Sequence, residues 1–421
     1  MVIVRVSAGE RLPLRGFQRT ARTVCRSFLF ARHAGVPAHV HRLSQHAIVM
    51  RIGVMLRHYD QHGGGVRVYT RGLLDYLVRH PGGHEYVLFY NNPALLGTYG
   101  GRPHVREVYV PSHGSVLLWD QVSLPRALRH AGIDVLFNPK YSLPLTGSYP
   151  AAWVCHGLDW YVLPWASRAV DRLSHRFLVP RYAKRASAVI AVSEVTREHV
   201  MHYLRMPPER VITVHTAIDD AFRTPLDAAA LDAVRKKYQL PERFVLYSGA
   251  VYPPKNFTRM VQAYARVGPA RDVSLVIAGG ENRFLSAHEL GEPTRQGIDR
   301  WVNWTGWVDA CTLAAFYRMA EALLLPSLFE SFGLPIVEAM ASSCPVLTSN
   351  RYGSQEIAGG AAQLVDPESV DAIAGGLEAI LSDGALRAQL IERGQVRSEH
   401  FTWAKCGEAT LRVLESLGPR N

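Results

Sequence analysis

From Met50 onward, short apolar runs alternate with longer stretches whose apolar residues recur at helical spacing. This alternation is typical of βαβ units, in which buried parallel strands are nearly continuous apolar runs. The first series of predicted strands is Arg51 to Leu56, Tyr86 to Tyr90, Val105 to Val110, Val135 to Asn138, Ala152 to Cys155, Ala188 to Val192 and Val211 to Val214. The second series is Phe244 to Gly249, Ser274 to Ala278, Val302 to Thr305, Ala322 to Leu325, Pro345 to Thr348 and Ala362 to Val365. The pattern therefore predicts an α/β protein with two Rossmann-like parallel sheets.

The two series are separated by Thr216 to Arg243, which is rich in alanine and charge and contains Pro225 and Pro241. This segment indicates a linker followed by a helix over Leu226 to Tyr238. The last helical stretch, Trp403 to Leu417, has apolar residues spaced for one buried face and is a candidate to pack back on the first domain. The predicted division is 1–49, a basic extension; 50–222, a first Rossmann-like domain that 403–421 would join; 223–242, a linker; and 243–402, a second Rossmann-like domain.

The net charge of +11 is concentrated at the start of the chain. Residues 1–49 contain eight arginines against one acid, Glu10, which gives +7 there and leaves +4 for the other 372 residues. This acid-poor segment is like an organelle-targeting sequence, but Met50-Arg-Ile-Gly-Val-Met looks like a natural start followed by a strand, so we expect a non-structural extension. Because the excess charge lies there and no nucleic-acid motif accompanies it, nucleic-acid binding is not predicted.

Length and composition set further bounds. With 421 residues, 48% of them apolar, the chain can bury two cores. Its five cysteines include no C-x-x-C pair, so no zinc site is indicated, and a reducing cytosol suits them. No apolar run approaches the roughly 20 residues that cross a bilayer, so any membrane association is expected to be peripheral.

Two glutamates, Glu330 and Glu338, lie eight residues apart on either side of Gly333, directly after a predicted strand. Ligands collect at the carboxyl edge of open α/β sheets. A loop at Gly333 lets backbone N–H groups approach a phosphate, and Pro335 suits the first turn of a helix over Ile336 to Ser342. Glu338 would then accept hydrogen bonds from a ribose, and Glu330 would face a sugar. The alternative is that both glutamates are solvated residues favoured by the helix dipole.

A second loop at the same predicted sheet edge runs from Gly249 to Lys255, which follows two prolines. A lysine held in this way is a point charge suited to a diphosphate. A surface lysine near a turn is the alternative. Farther along, Val308 follows Gly306 and could offer backbone groups to a nucleobase.

In the first half of the chain, Gly64 and Gly65 follow the first predicted strand and precede Arg67 and a helix predicted over Val68 to Arg79. Glycines before a helix form a loop that can accept an anion or an acceptor substrate. Tight strand-to-helix turns also require glycine, so a purely structural role stays open.

His156 closes another strand of the first domain and is expected to point into the cleft opposite Glu330. Histidine changes charge near neutral pH and is a common general acid or base. With 18 histidines in the chain, a packed or solvated residue is the alternative.

Arg168, Arg172 and Arg176 are spaced by four, so on a helix they would share one face. Such a stripe could meet an anionic membrane surface or a diphosphate-linked lipid. A solvated helical face is the alternative, because rows of charge are usually that.

Taken together, the motifs resemble those of the retaining GT-B glycosyltransferases of family 4, over nearly all of Met50 to Leu417. The most specific match is the E-x(7)-E motif within Leu325-Pro-Ser-Leu-Phe-Glu-Ser-Phe-Gly-Leu-Pro-Ile-Val-Glu-Ala-Met-Ala341. The resemblance implies a first domain that binds the acceptor and a second that binds the sugar nucleotide, facing across a cleft. The predicted catalytic residues are Glu330, at the hydroxyls of the transferred sugar, and His156, which matches the family's cleft histidine. The other predicted site residues are Glu338 at the ribose, Gly249, Lys255, Val308, Phe332, Gly333 and Leu334 at the donor, and Gly64, Gly65 and Arg67 on the acceptor side.

Two departures from the family pattern stand out. Members commonly carry an arginine beside the glycine or before the lysine of the second-domain loop, where this chain has Ala250 and Pro254. Arg259 or Arg351 could supply that charge. The usual His-Asp pair is also absent, since Gly157 follows His156, and whether Asp159 replaces the missing acid is open.

The resemblance implies transfer of a hexose from a nucleoside diphosphate to a glycan or a lipid-linked hydroxyl, with retained configuration and without a metal or other cofactor. The overall pattern looks most like that of the mannosyltransferases, which favours GDP-mannose over a UDP-hexose. We expect a cytoplasmic enzyme, peripheral to the inner membrane face, in cell-surface polysaccharide or glycoconjugate synthesis. A GT-B sugar-nucleotide epimerase and a non-catalytic sugar-nucleotide or glycan-binding protein are the alternatives.

Overall fold

A computed structural model describes residues 49–57, 59, 64–112, 114–279 and 287–419. The predicted extension over 1–49 lies outside these residues except for its last one, as do residues 58 and 60–63 beside the glycine pair. Among the described residues, no helix is both long and apolar enough to cross a bilayer.

The first sheet contains seven parallel strands in the order β3-β2-β1-β4-β5-β6-β7. Its strands are β1 (Arg51–Met55), β2 (Glu85–Tyr90), β3 (Val105–Tyr109), β4 (Val135–Asn138), β5 (Ala151–Cys155), β6 (Ala188–Ala191) and β7 (Val211–Thr213). The second sheet contains six parallel strands in the order β10-β9-β8-β11-β12-β13. Its strands are β8 (Phe244–Ser248), β9 (Ser274–Ala278), β10 (Val302–Trp304), β11 (Ala322–Leu325), β12 (Val346–Ser349) and β13 (Gln363–Val365). Every predicted strand is confirmed, with ends that differ by at most one residue.

Helices connect the strands and cover both faces of the sheets, as parallel sheets require. The α-helices in the described part of the chain are α1 (Gly65–Arg79), α2 (Val116–Leu118), α3 (Leu124–Ala131), α4 (Asp159–Val162), α5 (Ala169–Arg185), α6 (Glu194–Leu204), α7 (Ala228–Tyr238), α8 (Phe257–Val267), α9 (Ala287–Leu290), α10 (Glu292–Arg295), α11 (Ala310–Met319), α12 (Leu334–Ala341), α13 (Tyr352–Ala358), α14 (Val370–Ser382), α15 (Gly384–Ser398) and α16 (Trp403–Leu417). A π-helical segment over Trp119–Ser123 joins α2 to α3.

The central strands of both sheets are mostly apolar because both of their faces are buried. In β4, Val135 and Phe137 enter one hydrophobic cluster, while Leu136 between them enters a second cluster on the opposite face of the sheet. Alternate side chains of a strand point to opposite faces, so a strand covered on both sides needs an unbroken apolar run. This explains why the sequence pattern located the strands.

The C-terminal helix α16 packs against α1, which confirms the predicted return to the first sheet. A Cβ atom on Gly72 would lie 2.1 Å from the Trp403 ring, and one on Gly407 would lie 1.9 Å from the Tyr76 ring. Each helix therefore offers a glycine where the other inserts an aromatic ring. His84 Nε2, near the start of β2, also lies 3.1 Å from Glu415 Oε1.

Candidate functional site

The E-x(7)-E segment lies at the carboxyl edge of the second sheet, between β11 and α12. Gly333 is the N-cap residue of α12, with φ of 93° in the left-handed region. A side chain there would be strained, and its Cβ would lie 2.8 Å from Ile336 Cδ1. Glycine thus lets the chain turn sharply into α12, where Pro335 has no N–H and the Ile336 amide donates to Gly333 O at 3.0 Å.

Glu330 and Lys255, which the sequence placed at the same edge, form a buried ion pair. Lys255 Nζ lies 2.6 Å from Glu330 Oε1, and Ser327 Oγ donates a hydrogen bond of 2.7 Å to the same oxygen. Both charged residues are 8% exposed, so the alternatives of a solvated glutamate and a surface lysine are wrong. Burial alone would lower the pKa of Lys255, but the adjacent Glu330 carboxylate outweighs burial and raises that pKa.

Local hydrogen bonds fix the position of Lys255. It ends a 3-10 turn, Pro253–Lys255, and is followed by Asn256 in the left-handed conformation. The Asn256 side-chain amide donates to the carbonyl oxygens of Pro326 and Pro367, at 2.9 and 2.6 Å. The lysine loop is thereby tied to the ends of two other strands of its sheet, which restricts where the ammonium group can lie.

Glu338, in the middle of α12, is 8% exposed. Burial raises its pKa to about 7, although a hydrogen bond of 3.2 Å from the Tyr317 hydroxyl favours the charged form. Tyr317 belongs to α11 and was missed in the sequence, because an aromatic residue in an apolar helix carries no signal of its own. A carboxylate that is costly to ionise and faces the sheet edge is suited to accept hydrogen bonds from hydroxyl groups.

The remaining residues of the α12 loop contact other parts of the chain. Phe332 is 5% exposed and meets the Phe401 ring edge-on, at 5.4 Å between centroids. Leu334 reaches toward the first sheet, since its Cδ1 lies 3.1 Å from the position that a Cβ on Gly65 would occupy. Gly65 opens α1, so this predicted acceptor-side residue lies beside the loop before α12.

Gly249 and Val308 take structural positions at the end of the second sheet. The Gly249 amide donates to Ala278 O at 3.0 Å, and its own carbonyl oxygen lies 1.9 Å from where a Cβ on Gly279 would stand. Gly279 was not singled out in the sequence, yet it permits this close approach of two loops. Val308 is partly buried against the core, just before α11.

His156 follows β5, with Nε2 2.7 Å from the carbonyl oxygen of Pro139. A carbonyl only accepts, so Nε2 carries the proton and donates. Burial lowers the pKa of His156 to about 4, which makes the ring neutral at pH 7. The hydrogen-bond partner of His156 is thus the backbone carbonyl of Pro139, in the loop after β4. Asp159 does not form this hydrogen bond.

The absence of the His-Asp pair has a steric reason. Gly157 has φ of 134°, and a Cβ there would lie 1.9 Å from Ser331 Oγ. Ser331 follows Glu330 directly, so the chain beside His156 touches the chain beside Glu330. An aspartate in place of Gly157 would be strained and would force these two segments apart.

Two more contacts hold the sheet edges together. Ser193 Oγ, at the start of α6, donates a hydrogen bond of 2.5 Å to Ser331 O. Glu356, from α13, accepts hydrogen bonds of 2.9 Å from the backbone amides of Glu194 and Val195 and lies 2.9 Å from His215 Nε2. Burial would raise the pKa of Glu356, but these donors outweigh burial and lower it. The carboxylate therefore caps a helix that belongs to the other sheet.

The other predicted residues are placed as follows. Gly64 is the N-cap residue of α1, with φ of 87°, and its carbonyl accepts from the Arg67 amide at 3.2 Å. Arg351 pairs with Asp366 at 2.9 Å and with Glu368 at 2.8 Å, so its charge is already compensated.

Arg259, the other candidate for the missing loop arginine, lies in α8 and donates a hydrogen bond of 3.2 Å to Asn256 Oδ1. It therefore contacts the residue that follows Lys255. In the described part of the chain, no cluster of three or more His, Cys, Asp or Glu side chains could hold a metal ion.

Two family models match the chain, one for each sheet. The model described as Glycosyltransferase Family 4 matches residues 63–222, and that described as Glycosyl transferases group 1 matches residues 232–397. The chain is 30% identical over 237 residues to the O-antigen chain mannosyltransferase B of Escherichia coli. That match covers 55% of this chain and 61% of the relative, so the chain spans less than two thirds of the relative's length.

Solved structures show the same architecture. Sucrose-phosphate synthase from Thermosynechococcus elongatus superposes with a TM-score of 0.71 at 21% identity, covering 87% of this chain and 99% of the other. HepE of Anabaena, solved in complex with UDP and glucose, gives a TM-score of 0.69 at 17% identity, covering 87% and 100%. The two parallel sheets thus have the GT-B fold, and the chain belongs to the group 1, family 4 glycosyltransferases.

Proposed function

We propose that this protein transfers a hexose, with mannose favoured, from a nucleoside diphosphate sugar to an acceptor hydroxyl with retention of configuration. The observation that carries the proposal is the buried Lys255–Glu330 pair, whose loop touches the segment of His156 through the contact between Gly157 and Ser331. Donor-binding groups and the first sheet therefore meet at one place. The product would be a glycan or lipid-linked glycoside of a cell-surface polysaccharide or glycoconjugate.

The residues of the second sheet would act on the leaving group and the sugar. A bound diphosphate would take the place of Glu330 beside the Lys255 ammonium, and the backbone N–H groups of Gly333 and Leu334 would add to its stabilisation. Glu330 would then be free to accept hydrogen bonds from sugar hydroxyls. Glu338 would hold the ribose.

The reaction we propose breaks the bond between the anomeric carbon and the diphosphate oxygen and forms a bond to the acceptor oxygen on the same face of the sugar. The acceptor's proton passes to the leaving phosphate oxygen. The neutral ring of His156 would position the sugar, since its Nε2 is committed to Pro139. The packed Gly157–Ser331 contact would limit access of water to the donor.

The relative named for O-antigen mannosyltransfer supports mannose, and the HepE complex supports a nucleotide in the equivalent fold. The test is calorimetric titration with GDP-mannose, UDP-glucose and UDP-N-acetylglucosamine of the wild type, Lys255→Ala and Glu338→Ala. We expect one donor to bind the wild type and each substitution to weaken it at least about tenfold, as loss of a charged hydrogen-bond partner does. Wild-type protein that binds none of the three would contradict the proposal for these donors.

An enzyme and a non-catalytic binder are separated by Glu330→Gln. In an enzyme, turnover collapses while donor affinity changes less, because Glu330 would act mainly on the sugar in the transition state. If the purified wild type binds the donor but transfers no sugar to any acceptor in the extracts tested, the result would favour a non-catalytic binding protein.

We also propose that the N-terminal half of α5 rests on an anionic membrane surface. Val170, Leu173 and Phe177 lie on one face of this helix and are 76%, 72% and 58% exposed. Arg168 and Arg176 of the predicted basic stripe are exposed beside them. Apolar side chains flanked by arginines are the combination that anchors an interfacial helix to anionic lipid.

The test is sedimentation with vesicles of phosphatidylcholine, with and without phosphatidylglycerol. We expect binding only with the anionic lipid, decreasing as salt is raised, and a loss of about tenfold for Leu173→Ser combined with Phe177→Ser. Equal sedimentation of wild type and double variant would contradict this docking. Val396→Ser, an exposed apolar residue of α15, is the matched control.

A further inference from the structure

The carboxyl edge of the first sheet carries a group of charges that the proposed donor site does not use. Arg57 follows β1, and its Nε and Nη2 atoms lie 3.2 and 3.3 Å from the two carboxylate oxygens of Asp120. The side chains of this pair are 10% and 2% exposed. Asp120 lies in the π-helical segment, so this buried pair joins two distant parts of the chain.

Lys140, in the loop after β4, brings a second cation to the same place. Its backbone amide donates a hydrogen bond of 3.0 Å to Asn138 Oδ1, and the Asn138 amide group in turn donates to Ser142, which fixes the loop. The Lys140 ammonium lies over the Tyr141 ring, 5.4 Å from its centroid. Within the described part of the chain, it makes no hydrogen bond and no ion pair.

The two cations and the single carboxylate leave one positive charge in excess. Burial lowers the pKa of Lys140 to about 8, and the like charge of Arg57 acts in the same direction, while Asp120 only partly opposes them. A half-buried cation is costly unless an anion accompanies it. The excess therefore suits a site that is completed by an anionic ligand.

This group lies next to the proposed transfer site. His156 Nε2 donates to Pro139 O, and Pro139 immediately precedes Lys140. The charge of Lys140 contributes to the low pKa of His156, after burial. Arg57, Pro139 and His156 follow β1, β4 and β5, which are adjacent strands, and ligands bind at such an edge of an open α/β sheet.

We propose that Arg57 and Lys140 bind a phosphate group of the acceptor, so that the acceptor substrate is a phosphate ester whose hydroxyl lies near His156. The inference deepens the proposed function and rests on it. Lysine is a compact point charge and arginine a planar fork, and both are used to bind phosphate. The same phosphate could belong to a soluble sugar phosphate or to a sugar linked to a polyprenyl phosphate, and both carry a free sugar hydroxyl.

The test is calorimetric titration at pH 7 with glucose 6-phosphate and with farnesyl phosphate. We expect Lys140→Met to weaken binding about 10- to 100-fold, as loss of a charged hydrogen-bond donor does, while Lys140→Arg retains most of it. Lys184→Met, an exposed lysine of α5, should bind as the wild type does. Tighter binding of farnesyl phosphate would assign the phosphate to a lipid, and tighter binding of glucose 6-phosphate would assign it to a sugar.

The proposal is overturned if neither compound binds the wild type, if Lys140→Met binds them as well as the wild type, or if glucuronate binds as tightly as glucose 6-phosphate. Loss of binding in Lys255→Met instead of Lys140→Met would place the phosphate at the donor edge and also overturn it. Nucleotide-sugar binding is titrated in parallel and should be the same in Lys140→Met and wild type. Failure of that titration in the wild type would count against the proposed function alone.

The pH dependence adds a second readout. The charged or titratable groups near Lys140 are Arg57, Asp120, Tyr141, His156 and His175, and the carboxylates of Asp159 and Asp171 act on Tyr141 and His175 in turn. Between pH 8 and 9.5 inorganic phosphate stays dianionic while free Lys140 loses its proton, so wild-type affinity for phosphate should fall several-fold. Lys140→Arg should show a flat profile, since arginine stays protonated. Parallel profiles for the two proteins would contradict a role for Lys140.

Discussion

The two sheet edges differ in whether their buried charges are fully compensated by an opposite charge. At the second sheet, Lys255 and Glu330 compensate each other at 2.6 Å. At the first sheet, Asp120 forms an ion pair with Arg57, while Lys140 forms no ion pair among the described residues and is affected by the Asp120 charge only at longer range. A self-compensated edge can be assembled before a ligand arrives and must exchange partners when the ligand binds. An edge with excess charge gains its missing partner from the ligand itself.

The largest expected effect that tests this contrast comes from Lys255→Met. We expect transfer to fall about 100- to 1,000-fold, the usual cost of removing an electrostatic group from a leaving-group site. The free energy of unfolding should fall by about 3 kcal/mol, because Glu330 is left buried without its cation. Activity is measured with the donor identified by titration, and stability by urea unfolding.

Two further variants sharpen the contrast. Lys255→Met combined with Glu330→Gln should recover most of the stability and none of the activity, because the uncompensated charge is removed. Lys140→Met at the first sheet should leave stability unchanged or raise it, since no ion pair is lost. Equal destabilisation by Lys255→Met and Lys140→Met would show that the two edges do not differ as described.

The next effect concerns Glu338. Burial raises the pKa of its carboxyl group from 4.5 to about 7. The folded state then binds the proton more tightly than the unfolded state does. The favourable contribution of Glu338 is therefore complete below pH 4.5 and is lost as the pH rises to 7. A difference of this size corresponds to about 3 kcal/mol.

Without ligand, Glu338→Gln should gain stability relative to wild type as the pH rises from 4.5 to 8, by up to about 3 kcal/mol. Glutamine is neutral at every pH, which is why the difference grows. Urea unfolding of both proteins at pH 4.5, 6, 7 and 8 measures it. If the stabilities of the two proteins differ by the same amount at every pH, burial does not raise the pKa of Glu338.

A smaller effect is expected where the two edges touch, at Gly157. Gly157→Asp would restore the family's acid, yet φ of 134° and the Ser331 hydroxyl oppose any side chain. We expect a loss of about 1 to 3 kcal/mol in stability and a loss of activity. Gly83→Asp is the matched control, because Gly83 has φ of 89° with nothing within 4 Å of its Cβ position. A functional, stable Gly157→Asp would contradict the contact.

The elements of the fold were predictable because buried parallel strands are written as continuous apolar runs. Helix starts were less so: α1 begins at Gly65, where helix was predicted from Val68, and α12 at Leu334, where it was predicted from Ile336. Gly65 and Leu334 were assigned to the glycine-containing loops, whereas Pro335 was correctly expected in the first turn of its helix. The lysine and the glutamates were found because short motifs carry them.

What the sequence did not reveal are pairings made by tertiary structure. Glu356 caps a helix that begins 162 residues earlier, and Arg57 meets Asp120 across 63 residues. His156 bonds to a backbone carbonyl, which any residue type supplies. Since such contacts depend on strand order and not on local spacing, no pattern along the chain marks them.

The smallest expected effect is that of Tyr317→Phe, and it tests how the donor edge keeps Glu338 available. The Tyr317 hydroxyl donates a hydrogen bond of 3.2 Å to Glu338 Oε2. This bond lowers the pKa of Glu338, whereas burial raises it. Without it the pKa should rise further above 7, so less of the carboxylate is ionised at neutral pH. We expect donor affinity at pH 7 to fall about fivefold, the equivalent of one hydrogen bond.

The pH profile separates this cause from simple loss of packing. At pH 8.5 Glu338 should be ionised in most molecules of both proteins, so the deficit of Tyr317→Phe should shrink, whereas a packing defect would persist at every pH. Tyr264→Phe is the control, because it removes a buried hydroxyl that donates a hydrogen bond of 2.7 Å to Val273 O. It should lower the stability of the protein without changing how donor affinity depends on pH. If the deficit of Tyr317→Phe is the same at pH 7 and 8.5, the hydroxyl does not act through the ionisation of Glu338, and the donor edge would hold its ribose carboxylate by shape alone.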